Sequence, residues 1–174
     1  MTMRFPRVIR LDDSDSQVYE NPAIPGEWAV PGSFVFLDVD PDTLNGKQIQ
    51  AFHRGFLGTK SLGWSTLVTI AEISDEEYQV AIESLATYFM QQGGAPDRTA
   101  ALTAAREEAV FAASLCDHEI HTLLTLERKA EGESIIENFR VVRVPDASDH
   151  ATMKLWTVDD NRRKVVRGRL TCYY

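Results

Sequence analysis

Trp64-Ser65-Thr66-Leu67-Val68-Thr69-Ile70-Ala71, followed closely by Ser74-Asp75-Glu76-Glu77-Tyr78, decides the fold class. Trp64, Thr66, Val68 and Ile70 alternate with Leu67 and Ala71, the period of a strand. Ser74 with Glu77 three residues on is a capping box, and Asp75 and Glu76 suit a helix's first turn. Tyr78, Ile82, Leu85 and Phe89 then recur at steps of four, three and four, which predicts one buried helical face. Gly93-Gly94 ends this helix, and Pro96 stands where a second begins, from about Asp97 to Leu115. Ala101, Ala105, Ala109 and Ala112 line its buried side, so it packs closely and does not grip a ligand.

Strand patterns lie on both sides of this helical centre. Phe5–Leu11 reads as a strand with Phe5, Ile9 and Leu11 on one face. Asp12–Ser16 is a turn cluster, and Val18-Tyr19 starts a short strand. Glu27–Leu37 alternates, placing Trp28, Val30, Phe34 and Phe36 together, with Pro31-Gly32 marking a bulge or an edge. Asp38–Asp42 is loop, and Lys47–Phe56 is a short amphipathic helix using Ile49, Phe52 and Phe56. Past Asp117, Thr122–Lys129 and Ser134–Val144 form a hairpin through Ala130-Glu131-Gly132-Glu133. Met153–Val158, a turn at Asp159-Asp160-Asn161, and Lys164–Cys172 form a further hairpin. The pattern predicts an α+β fold: an antiparallel sheet of consecutive hairpins with two central helices packed on one face. Residues 1–145 read as one domain and 146–174 as an appended C-terminal β-hairpin extension.

The chain has 174 residues, 26 acidic and 18 basic, for a net charge of −8. Its mean hydropathy is −0.23. Such a field repels phosphate backbones and anionic lipid, which argues against nucleic-acid and membrane partners. Two cysteines, Cys116 and Cys172, and the lack of an apolar run behind the N-terminal arginines predict a cytoplasmic protein.

Four groups of residues invite chemistry. The stretch from His53 to Trp64 carries Gly55, Gly58 and Gly63, but Thr59 separates Gly58 from Lys60 and a strand follows. A P-loop and a dinucleotide fingerprint therefore both fail, leaving a helix cap and a tight strand entry. Arg54 and Lys60 remain as cations that could frame a small anion or a partner's carboxylate. Cys116-Asp117-His118-Glu119-Ile120-His121 holds metal-ligand types, yet His53 and His150 are distant and nothing closes a tetrahedral site. Cys116 at a helix C-terminus is a poor nucleophile. No metal, no cofactor and no catalytic residue is expected. Arg162, Arg163, Lys164, Arg167 and Arg169 read as the solvent face of a strand. Trp28, Phe34, Phe36 and Trp64 suggest one continuous aromatic layer.

The segments Gly26–Phe34, Gly55–Gly58, Gly63–Leu67 and Phe111–His118 resemble a small uncharacterised proteobacterial family of unknown function. The resemblance runs from about Arg7 to Val144. It implies genes near a biotin/lipoate-ligase-like protein and formate-dehydrogenase accessory genes, and an accessory role around a redox enzyme or carrier-protein ligase. Two readings follow. One is a non-enzymatic protein-binding domain, homodimeric, with another protein as partner. The other is a small enzyme or ligand-binding domain with a pocket between helices and sheet. The candidate binding residues are Trp28, Arg54, Lys60 and Trp64.

Overall fold

The computed structural model describes residues 2–142, 160–166 and 172–173. Strand β1 (Met3–Val8) is followed by a short helix α1 (Ser14–Val18), strand β2 (Ala29–Val30), helix α2 (Gly46–Arg54) and strands β3 (Phe56–Gly58), β4 (Trp64–Ser65) and β5 (Val68–Ile73). Helices α3 (Asp75–Gln91) and α4 (Arg98–Ser114) come next, then strands β6 (Leu123–Glu131), β7 (Ser134–Val142), β8 (Asp160–Val166) and β9 (Cys172–Tyr173). The fold is α+β. The main sheet has the order β1-β5-β6-β7-β8-β9, and a small sheet has the order β2-β3-β4. Every strand pairing in both is antiparallel.

The central helices form where the periodicity places them. Ser74 and Glu77 make a reciprocal cap, each side chain accepting from the other's amide at 3.1 Å. Ile82, Leu85 and Phe89 are buried, and so are Ala101, Ala105, Ala109 and Ala112. The alanine face lets α3 approach α4, and both share a core with Phe5 and Ile73. Phe111 of α4 and Leu115 at its C-cap pack on Leu124, Leu126 and Phe139 of the main sheet. Beyond them Phe52 of α2 meets Ile135 and Val165 on the same face. The sheet is thus covered by α4 at one end and by α2 at the other.

Several expectations near the N-terminus are corrected. β1 ends at Val8, and Leu11 is exposed. Residues 14–18 coil into α1 because Asp15 turns inward to accept from the Thr66 hydroxyl at 3.0 Å, which leaves Tyr19 capping a helix and not opening a strand. The expected strand over 27–37 shrinks to Ala29–Val30. Gly32 has φ +82°, and its backbone lies against Leu57, so the chain leaves the ladder and winds a 3-10 turn at Ser33–Phe36. Another 3-10 turn, Pro41–Thr43, lies within the expected loop. α2 stops at Arg54, and Phe56 belongs to β3. The strand expected over Trp64–Ala71 is divided between β4 of the small sheet and β5 of the main one. The Ser65 hydroxyl, donating to Leu67 O at 2.8 Å, turns the chain between them.

The aromatic layer divides as well. Phe36 stacks on Trp64, Phe34 packs on Tyr88 and Phe89, and Trp28 meets Phe5 edge-on. At the C-terminal end, Asp160 and Asn161 are strand and not turn. Arg162 and Lys164 of β8 are exposed, as expected of a solvent face, but Arg163 between them is buried. Strand alternation turns it inward beside Val165. Arg167, Arg169 and the expected strand Met153–Val158 lie outside the described residues.

Candidate functional site

The Ser74 cap fixes the first turn of α3 and with it Glu77, whose carboxyl is held below its ordinary value chiefly by the Ser74 amide. Arg7 and the Trp28 indole N–H act in the same direction. Trp28 is thereby tied to the start of α3, with the Arg7 guanidinium 5.2 Å from its ring centre. Its half-buried indole forms one wall of a cavity of about 660 Å³. Ile24 and Pro25 flank it, Thr59 and Lys60 close the far side, and Val80, Ala81 and Ser84 of α3 complete the lining. Ile24 is 54% exposed and Val80 65%. The cavity is an open apolar groove bordered by Glu76 and Glu77 at the head of α3.

The glycine-rich turn from Gly58 to Gly63 does hold an anion, but that anion is the chain's own Glu27. One carboxylate oxygen accepts from the amides of Lys60 (3.1 Å) and Ser61 (3.0 Å). The other accepts from the Ile24 amide and the Ser61 hydroxyl, both at 2.6 Å. A cluster of inward-pointing amides is a recognised way to satisfy a carboxylate without a cation. Gly58 is required because a Cβ there would stand 2.2 Å from the Glu27 oxygen. The Lys60 side chain is left exposed at the groove.

The four candidate binding residues do not converge. Trp28 and Lys60 share the groove. Trp64 lines a separate cavity of about 270 Å³ beside Phe36 and α2, and Arg54 is exposed and lines neither. Cys116 is buried, and burial pushes its thiol up to about 12, which suits packing and not nucleophilic attack. Among the described residues no group of three or more His, Cys, Asp or Glu side chains is placed to hold a metal ion. None of the described helices is long and apolar enough to cross a membrane.

Sequence patterns did not reveal a row of buried charge. Arg128 of β6, Glu137 of β7 and Arg163 of β8 stand in register across the sheet, and Glu108 of α4 meets Arg163 from below. Arg128 donates to the carbonyls of Pro31, Ala51, Phe52 and Gly55, and so ties α2 and the small sheet to the main sheet. Burial pulls its guanidinium below its ordinary value, while Glu137 pulls it back up. The only available signal was strand parity: Arg128, Glu137 and Arg163 each fall on the positions of their apolar neighbours.

Fold and site together define an α+β domain of two antiparallel sheets, with an open apolar groove between the head of α3 and the turn that binds Glu27. Residues 3–158 match a family of unknown function, DUF6505, and the chain belongs to it. The match runs past Val144 and ends just before β8. No curated protein and no solved structure matches the chain.

Proposed function

We propose that this protein is a binding domain whose groove at Trp28 receives a short segment of another protein. One observation carries the reading: Ile24 and Val80, 54% and 65% exposed, face the same groove as a half-buried tryptophan. Apolar groups grouped in this way with a polar rim characterise contact surfaces more than scattered surface residues do. Charge selects the chemistry of the occupant. The Glu27 carboxylate is already satisfied by amides and the Ser61 hydroxyl, so the rim presents Glu76 and Glu77 against Lys60. The segment that fits carries an apolar or aromatic side chain with a lysine or arginine close by.

In this reading the protein is an accessory and not a catalyst. The resemblance noted above supports a redox enzyme or a carrier-protein ligase as the owner of the segment, and the cytoplasm as the compartment. The test is a displayed-peptide selection on the intact protein, counter-selected with Val80→Asp. Enrichment of apolar-basic peptides that lose binding to Val80→Asp and Trp28→Ala supports the proposal. Peptides insensitive to both substitutions, or no enrichment, overturn it.

A further inference from the structure

We infer that the separate cavity at Trp64 is a binding site for a small aromatic carboxylic acid. The floor is apolar, formed by Phe36, Val39, Leu44 and Trp64. Its volume of about 270 Å³ lies just below the roughly 300–1,000 Å³ of pockets for drug-sized ligands, which suits one ring and a short chain. Trp64 and Phe36, stacked on one another with ring centres 5.2 Å apart and planes 28° apart, both line the cavity and form its aromatic wall.

Two features select the charge of the ligand. The Arg128 guanidinium already lies 5.7 Å from the Phe36 centre and 6.0 Å from the Trp64 centre. The stacked pair has thus met a cation, so a second one gains little from the same rings. At the rim, the Glu20 carboxylate is turned to the Asn45 side-chain amide at 3.3 Å, and the Gln48 side chain is used in the α2 cap, which leaves Glu20 and Lys47 as the two charged groups of the lining. Lys47, in the first turn of α2, makes no ion pair among the described residues. It stands where the helix dipole also favours an anion. A ring on the aromatic wall with its carboxylate on Lys47 satisfies both features.

The site is independent of the groove at Trp28 and stands or falls separately. The experiment titrates the intact protein with phenylacetate, phenethylamine and benzyl alcohol, followed by amide NMR shifts and calorimetry. We expect phenylacetate to give saturable shifts at Val35, Val39, Leu44 and Lys47, with phenethylamine about tenfold weaker or more. Lys47→Met, an exposed change that leaves the fold intact, should weaken phenylacetate about tenfold without affecting benzyl alcohol. No saturable shift at these residues, equal binding of acid and amine, or an unchanged affinity in Lys47→Met would each overturn the inference.

Discussion

Arg163 and Glu108 form a forked ion pair beneath the main sheet, with Nη1 3.1 Å from one carboxylate oxygen and Nη2 2.6 Å from the other. Their side chains are 1% and 4% exposed, and the guanidinium lies 4.1 Å from the centre of the Phe111 ring. With Arg128 and Glu137 they make a row of two positive and two negative charges inside the core. Taking charge out of water is costly, and the row is tolerable because its signs balance and its geometry is fixed by strand register. Removing one partner should therefore cost about 3–5 kcal/mol, as expected for an uncompensated buried charge. The unfolding free energies of Arg163→Leu and Glu108→Leu, read from urea melts, should both fall by that amount. The double variant should recover much of the loss, and a double variant worse than either single one would contradict the account.

The same pair bears on the C-terminal segment, which we propose to be an extension of a body formed by residues 1–145. A chain ending at Val144 lacks β8 and takes the Arg163 guanidinium away from Glu108. We expect such a chain to remain folded but to melt at a lower temperature, read by circular dichroism and sedimentation. Complete unfolding would show that the segment is integral to the core.

Gly58 and Gly46 should respond in opposite directions to alanine. At Gly58 the new Cβ would meet the Glu27 carboxylate, so Gly58→Ala should cost about 1–3 kcal/mol by overpacking. At Gly46 nothing lies within 4 Å, and the residue opens α2, so Gly46→Ala should be neutral or gain up to about 1 kcal/mol. Chemical melts of the two variants check the difference, and a mild effect at Gly58 would mean the Glu27 turn is looser than described.

Leu85 and Ser74 test the helix at the centre of the fold. Leu85 is fully buried in the core that α3 shares with α4, Phe5 and Ile73, and Leu85→Ala should cost about 2–5 kcal/mol. Ser74→Ala removes half of the cap and should cost about 1 kcal/mol. It should also disturb Glu77, and through it the seating of Trp28, which indole fluorescence reads.

Alkaline stability should depend on Cys116. Burial raises its thiol from 9.0 to about 12, so the unfolded chain loses this proton first as pH rises. Its contribution to stability is complete below about pH 9 and is lost between pH 9 and 12. Burial raises Tyr19, Tyr78 and Tyr88 in the same direction, so Cys116→Ala should reduce the alkaline loss without abolishing it. In a Cys172→Ser background the native Cys116 thiol should stay unreactive toward a disulfide reagent at pH 8. Rapid labelling there would show that the thiol is open to solvent.

The long periodic elements were legible because each carries its own repeated signal. The Ser74 cap, the Ile82–Leu85–Phe89 stripe, the alanines of α4 and the β6–β7 hairpin needed no knowledge of the rest of the chain. The small sheet was not legible, since two-residue strands such as Ala29–Val30 and Trp64–Ser65 are too short to show a period. The candidate site was legible as residue types and not as a place. Trp28 and Lys60, 32 positions apart by number, meet across the groove, whereas Trp64 and Arg54 lie elsewhere.

Sequence alone determined the α+β class, the two central helices, the absence of a P-loop and the acidic balance of the chain, because these follow from local spacing, capping and composition. Tertiary structure decided where the Trp64–Ala71 strand divides, what occupies the glycine-rich turn, and which face of β8 is buried. Each of these depends on a distant group: Trp64-Ser65 pairing with β3 while Val68–Ile73 pairs with β1 and β6, the Glu27 carboxylate reaching the Lys60 and Ser61 amides, and Glu108 meeting Arg163. Long-range partners of this kind leave no periodic trace, because a single hydrogen bond or ion pair constrains only the two positions it joins.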